Sequence, residues 1–332
     1  MEFRTPLPKT DLGINLSHSQ KILTMGSCFS EALAERLMRY KFDCISNTHG
    51  ILFNPVSIFN ALADVLNQKK YSQADLQRKE TGHYFSYHLH SGFNSRDGKE
   101  LLDTINENLE IAYDYLAHGD FLFITLGSAW VHQHLESKKY VANCHKQPAY
   151  LFEKVLLKPQ TLLDTYQALL LNLHELNPKL KVIFTVSPVR HIKEGMVQNQ
   201  RSKAILLYTI HELVEHFENC YYFPAYEAFI DDLRDYRFYD TDMLHPSKQG
   251  VDYVWDKFSE TFFAPKTQEL MQKIESIQKA LSHRPFDLEA MEYVQLLQRQ
   301  YTLMSTLEIE HRNISFADEK RFVQETLHKL NA

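Results

Sequence analysis

Short unbroken apolar runs punctuate the chain, and longer amphipathic stretches separate them. The runs are Lys21–Met25, about Phe42–Ser46, Phe121–Leu126, Lys181–Val186 and Cys220–Phe223, each of strand length and mostly rich in β-branched or aromatic residues. Between them, Ser30–Arg39 places Leu33, Leu37 and Met38 at helical spacing, and helices are also predicted over about Pro55–Leu66, Leu101–Ala117, Pro159–Leu176 and Leu206–Phe217. Residues 71–100, rich in polar and aromatic side chains, read as an insertion; within it His83, His88 and His90 alternate like one solvent-facing side of a strand, with a lid role open to them. Strands apolar on both faces and alternating with helices predict a mostly parallel sheet covered on both sides, a three-layer α/β/α fold. In such sheets ligands sit at the carboxyl ends of the strands. Gly26, Gly50, Gly127 and Ser187 all fall on that edge.

After about residue 262 the pattern changes. Thr267–Leu281, Asp287–Met304 and Ala317–Leu330 read as helices with no strand among them. The expected division is an α/β domain over residues 1–262 and a helical C-terminal extension over 263–332, which caps the domain or mediates self-association.

A hydrophobic fraction of 44% over 332 residues is enough for a large core and argues against disorder. The formal net charge of -6 gives no electrostatic reason to bind nucleic acid or an anionic membrane. The start, Met1-Glu2-Phe3-Arg4-Thr5-Pro6, has no apolar leader segment, and no apolar run is long enough to span a bilayer. The four cysteines, Cys28, Cys44, Cys144 and Cys220, are widely spaced with no Cys-x-x-Cys pair. The expectation is a reducing cytoplasmic setting in which a single thiol is kept for chemistry.

Two clusters carry candidate chemistry. Gly26-Ser27-Cys28-Phe29-Ser30 lies between the first strand and its helix, where free amides and the helix dipole favour an anion. A thiol there is expected to have a lowered pKa, and the same amides can hold a developing oxyanion. The blander reading makes Ser27 or Ser30 an N-cap and Cys28 a small buried apolar side chain. The second cluster is Asp242-Met243-Leu244-His245, which Pro246 separates from the next helix. One short turn can bring its carboxylate to its imidazole, fixing the tautomer and stabilising the imidazolium.

Together the clusters resemble the SGNH (GDSL-type) hydrolase superfamily, in which a nucleophile follows the first strand and a late Asp-x-x-His supplies acid and base. Gly26-Ser-Cys-Phe-Ser30 is similar to the signature of the GSCFA family, with Ser30 in place of alanine. Further similar segments are His49-Gly-Ile-Leu-Phe-Asn54-Pro55, Leu126-Gly-Ser-Ala-Trp130, Val141-Ala-Asn-Cys-His145-Lys146, Thr185-Val-Ser-Pro-Val-Arg190-His191 and residues 231–238, so the resemblance spans roughly residues 20 to 260. It implies the SGNH-like fold and an esterase-type hydrolase or acyltransferase acting on a small-molecule or glycan-linked acyl ester. Laid on the Gly-Asp-Ser-Leu block, the nucleophile position falls on Cys28 and the aspartate position on Ser27. Cys28 is therefore the preferred nucleophile and Ser27 the alternative, with His245 as base and Asp242 as its orienting group.

By the same resemblance the oxyanion donors would be the Cys28 amide, the Gly50 amide and an asparagine after the third strand. Ala129 stands where that asparagine is expected, in the stretch Gly127-Ser128-Ala129-Trp130, so Asn54 or Asn143 would have to replace it. Arg190 and His191 are candidates to line the site, Arg190 for a substrate carboxylate or phosphate or as a structural ion pair. Cys144-His145 forms a second possible reactive pair. Two other classes compete: a non-catalytic ligand-binding protein that keeps the fold, and a metal-dependent hydrolase using Cys144, His145, His49 and His191. The last lacks ligand spacing such as His-x-x-x-His, so no metal and no cofactor is expected.

Overall fold

The computed structural model describes residues 5–283 and 291–330. The chain enters through β1 (Lys21–Gly26), α1 (Cys28–Arg39), β2 (Asp43–Ser46) and α2 (Pro55–Leu66). The short strands β3 (Gln77–Arg78), β4 (Tyr84–Phe85) and β5 (Asn94–Ser95) form a small antiparallel sheet. Next come α3 (Gly98–His118) and β6 (Phe121–Leu126). A second antiparallel sheet follows, in the order β8-β7-β9, from β7 (Trp130–His134), β8 (Tyr140–Val141) and β9 (Phe152–Leu156). The α/β pattern resumes with α4 (Pro159–Leu176), β10 (Lys181–Val186), α5 (Met196–His216), β11 (Cys220–Tyr222), the single turn α6 (Ala225–Glu227) and α7 (Lys248–Phe262).

The main sheet has the order β11-β10-β6-β1-β2, with β1/β6, β6/β10 and β10/β11 parallel. Counted within this sheet the order is second, first, third, fourth, fifth, so the winding reverses between β1 and β6. Crevices at such reversals, outside the carboxyl ends, are where α/β folds bind ligands. Alternate residues face opposite layers. Leu23, Met25, Leu122, Ile124, Val182 and Phe184 enter a core built with α2, α3, α4 and α5. On the other face Phe123 meets Phe258 of α7, with ring centroids 5.6 Å apart, and the Ser30 hydroxyl of α1 donates to Thr125 Oγ1 at 2.8 Å. The α/β/α expectation is thus met.

Packing divides the chain into two compact units. The first comprises Met1–Leu12, Lys21–Glu35 and Cys44–Thr261; the second comprises Gly13–Gln20, Arg36–Asp43 and Phe262–Ala332. The second contains α8 (Pro265–Ser282), α9 (Met291–Glu310) and α10 (Ala317–Leu330), closed around Leu270, Ile274, Leu297, Met304, Phe316 and Val323. Leu16 joins this unit by donating its amide to the Phe262 carbonyl at 2.7 Å. The helix expected from Asp287 begins, in its described part, at Met291; residues 284–290 lie outside the described residues.

Three expectations need correction. Residues 130–156 hold a sheet that the apolar pattern did not announce, because its strands alternate with half-exposed polar residues and β8 is only two residues long. His88 and His90 lie in the turns between β4 and β5, not on a strand face, and burial lowers the pKa of both. The helix expected from Leu206 starts ten residues earlier, at Met196.

Candidate functional site

The carboxyl edge of the main sheet is stitched together by backbone bonds. Gly26 ends β1 with φ 138°, and a Cβ there would lie 2.2 Å from the Thr125 carbonyl oxygen, so only glycine lets β1 and β6 approach this closely. The Gly26 amide donates to Asn47 Oδ1 (2.9 Å), the Ser27 amide to the Thr125 carbonyl (3.2 Å) and the Leu52 amide to the Gly26 carbonyl (2.8 Å). The Phe53 carbonyl accepts both the Gly127 and the Ser128 amides, each at 2.9 Å. The loops after β1, β2 and β6 are therefore one hydrogen-bonded unit.

Cys28 opens α1 and is half-buried. Its pKa is raised, against the expectation. Burial is the largest cause; the Cys28 and Phe29 amides pull downward as a helix start should, but they do not outweigh the loss of solvation. Ser27 is fully buried, and its Oγ accepts the Phe29 amide at 3.3 Å. It has the geometry of a local cap and not of an exposed nucleophile.

The late loop brings its acid and base together. Asp242 Oδ2 lies 2.6 Å from His245 Nδ1, while Asp242 Oδ1 accepts the Leu244 and His245 amides at 2.8 and 2.9 Å. These bonds hold the Asp242 carboxyl down at about 2, the amide bonds and the imidazole each contributing. An ionised Asp242 makes Nδ1 the donor and leaves Nε2 as the free ring nitrogen. The loop is anchored by Arg190, whose amide donates to the Leu244 carbonyl (3.1 Å) and whose guanidinium donates to the Met243 carbonyl (3.3 Å). The Arg190 guanidinium carbon sits 5.6 Å from the ring centroids of both Tyr236 and Tyr239. Among the described residues no carboxylate pairs with it.

A further buried residue was passed over by the sequence reading. Lys203 of α5 is 1% exposed, and its ammonium donates to the carbonyls of Gly127 (2.7 Å) and Ser187 (2.5 Å), tying the β6 edge to the β10 edge. Burial brings it down to about 7. It acts electrostatically on both Cys28 and His191, and His245 acts on His191 too. The signal was present: Asn199, Ser202 and Lys203 continue the buried stripe Leu206, Ile210, Leu213 backward by one helical turn and more. A buried lysine with no carboxylate partner among the described residues, at such an edge, is a functional candidate on physical grounds.

The other expected site residues divide. Gly50 (φ 75°) donates its amide to the Asn47 carbonyl at 2.6 Å, so this expected oxyanion donor is engaged inside the protein, and the Gly127 and Ser128 amides go to Phe53. Ser128 Oγ lies 3.3 Å from Ser202 Oγ, and the Ala129 amide donates to Ser202 Oγ at 2.7 Å. Asn54 caps α2 by accepting the Ser57 amide at 2.8 Å, and it follows Phe53, whose carbonyl holds the Gly127 and Ser128 amides. His191 lies near Gly127, with Nε2 buried and unpartnered, and burial pushes it down to about 3.

Asn143 and His145 are engaged with one another and with the segment between β4 and β5. Asn143 Oδ1 accepts the His145 amide, and His145 Nε2 lies 3.0 Å from the Leu89 carbonyl with its ring against Phe85. Cys144 is half-buried, and burial raises its pKa. His49 is buried, and burial, with His88 and Lys69 nearby, lowers it to about 3. Among the described residues no three His, Cys, Asp or Glu side chains gather as a metal site. Nor is any described helix long and apolar enough to cross a membrane.

The GSCFA family model matches residues 21–258, most of the chain and all of the edge just described. The chain belongs to the GSCFA family. A second model, the C-terminal domain of GSCFA domain proteins, matches residues 274–329. No curated protein matches the sequence. Among solved structures this GSCFA chain is similar to a carbohydrate esterase family 3 protein from Talaromyces cellulolyticus (9% identity, TM-score 0.33, 77% of this chain and 99% of that one). It is also similar to a family 3 carbohydrate esterase from Clostridium thermocellum (13% identity, TM-score 0.30, 76% and 97%). A third similar structure is a mutant acetyl esterase with an acetate ion (12% identity, TM-score 0.31, 78% and 99%).

Proposed function

We propose that this protein is an SGNH-like esterase-type hydrolase or acyltransferase that works through a thioester on Cys28. The observation that carries the reading is the Asp242–His245 pair, a carboxylate fixed by two amides and 2.6 Å from the imidazole. That arrangement leaves Nε2 free as a base. Because burial keeps Cys28 protonated, the thiol needs such a base, as a serine hydroxyl would.

In the first half-reaction His245 Nε2 takes the thiol proton as sulfur attacks the ester carbonyl. The tetrahedral oxyanion then collapses, the C–O bond breaks, and the imidazolium returns the proton to the leaving alkoxide. In the second half-reaction His245 deprotonates water or an acceptor alcohol, which attacks the thioester and releases the thiol. The Cys28 amide is one oxyanion donor. The Asn54 amide group is the other, since its oxygen serves the cap of α2 and its Nδ2 is left to donate. Lys203 fixes the carbonyls beneath. The substrate class is a small-molecule or glycan-linked acyl ester.

The engaged amides of Gly50, Gly127 and Ser128 favour a second reading, a non-catalytic ligand-binding protein on the same fold. A panel of short acyl esters and thioesters separates the two, with intact-protein mass spectrometry on wild type, Cys28→Ala, Ser27→Ala and His245→Ala. The enzyme reading expects an acyl adduct that Cys28→Ala abolishes. An adduct that survives Cys28→Ala and vanishes in Ser27→Ala moves the nucleophile to Ser27, and no turnover of any ester leaves the binding reading.

A further inference from the structure

Beside the anchor of the Asp242–His245 loop lies a cavity of about 200 Å³, walled by Arg190, Asn199, Lys203, Tyr226, Tyr236 and Tyr239. Its charge is unbalanced. Arg234 on the same wall is neutralised by Asp231 at 3.0 Å, and Asp235 by Arg237 at 3.3 Å. Arg190 and Lys203 have no such partner: among the described residues their contacts are backbone carbonyls and tyrosine rings. Arg190 spends one side-chain N–H on Met243, so the rest of its fork is open. The Tyr236 and Tyr239 hydroxyls take no protein partner among the described residues, whereas Tyr226 donates to Gln200. A guanidinium set against a pair of neighbouring tyrosine rings has lost some of its freedom already, which suits it to planar, bidentate recognition of an oxyanion. The volume falls below the roughly 300 Å³ at which pockets for drug-sized ligands begin, so one small charged group fits and a whole nucleotide does not.

We propose that this cavity binds a small oxyanion, a phosphate or a carboxylate, carried by the ester substrate or by the acyl acceptor of the Cys28 site. The binding itself follows from the cavity; its place in acyl transfer rests on the Cys28–His245 reading. Arg190 joins the two, because the carbonyls it holds belong to Met243 and Leu244, the residues between Asp242 and His245.

The test is calorimetric titration of the full chain with sodium phosphate and, separately, sodium acetate at constant ionic strength. Wild type is expected to bind at least one anion saturably at one site, and the stronger of the two identifies the group. Arg190→Gln and the double variant Tyr236→Phe/Tyr239→Phe should each weaken binding roughly tenfold or more. The tyrosine variant leaves Arg190 and its loop intact, so it stays informative if Arg190→Gln misfolds. Saturable binding by neither anion, or binding unchanged in the tyrosine pair and in a folded Arg190→Gln, overturns the proposal. Cys28→Ala should bind as wild type does. Anion binding without any Cys28 acyl adduct keeps this site and sinks the acyl-transfer reading, while an adduct without anion binding does the reverse.

Discussion

The turn that carries Cys28 and the loop that carries His245 are built in opposite ways. The Cys28 turn is packed between two strands, with neighbouring amides and carbonyls bonded to β6 and to the loop after β2. The Asp242 and His245 side chains remain 44% and 50% exposed, and the loop is tied to the edge after β10 through Arg190. Their ionisation diverges accordingly. Burial raises Cys28, whereas hydrogen bonds in the open lower Asp242 to about 2. Desolvation acts where water is excluded and leaves an exposed carboxylate to its local donors. In the proposed mechanism, acid–base power would reside in the hydrated half and positional accuracy in the buried half.

Removing the hydrated half has the largest expected effect. His245→Ala should lower kcat for a short acyl ester by roughly 10²–10⁴-fold, the usual worth of a positioned base, with thermal stability unchanged because the side chain is half exposed. Activity in wild type should rise toward alkaline pH, since a raised Cys28 pKa means more thiolate only above the ordinary thiol range. Steady-state kinetics from about pH 6 to 10 read both, and a rate that falls across that range counts against a thiol nucleophile.

The buried half breaks differently. Gly26→Ala drives a methyl into the Thr125 carbonyl at 2.2 Å and should cost about 3 kcal/mol or more of stability, seen as a lower denaturation midpoint. Asn54→Asp is gentler and more specific. It keeps the oxygen that caps α2, an exchange close to neutral at an N-cap, but replaces the proposed donor by a carboxylate. The expected loss is on the order of 100-fold in kcat, with a lower melting temperature because the new carboxylate is buried. A full-rate Asn54→Asp enzyme removes Asn54 from the oxyanion site.

The same contrast explains what the sequence could and could not reveal. The strands that build the main sheet and the glycine at position 26 are written in local pattern, and so is Asp242-x-x-His245, because three residues suffice to close that contact. The state of Cys28 is not local. It depends on solvent excluded by residues far along the chain, which is why helix-start reasoning gave the wrong direction. The Gly50 amide, expected as an oxyanion donor, closes a turn onto Asn47 instead, and the engagement of the Gly127 and Ser128 amides by Phe53 becomes visible only once the loops after β2 and β6 meet. Lys203 was passed over because a lysine in a helix reads as surface, and the polar start of α5 hid the continuation of its buried stripe.

Lys203 supplies the smallest and finest test of the contrast, since its buried amine lies between the Gly127 and Ser187 carbonyls. Its folded pKa of about 7 lies below the ordinary lysine value. The unfolded chain therefore binds more protons than the folded one from about pH 7 up to the ordinary lysine range near ~10.4, and stability gains with pH across that window. Lys203→Met should remove this slope: the stability of wild type relative to the variant should climb as pH rises above about 7, measured by denaturant midpoints at several pH values. A stability difference flat from about pH 7 to 10 would mean that no ammonium sits between the Gly127 and Ser187 carbonyls.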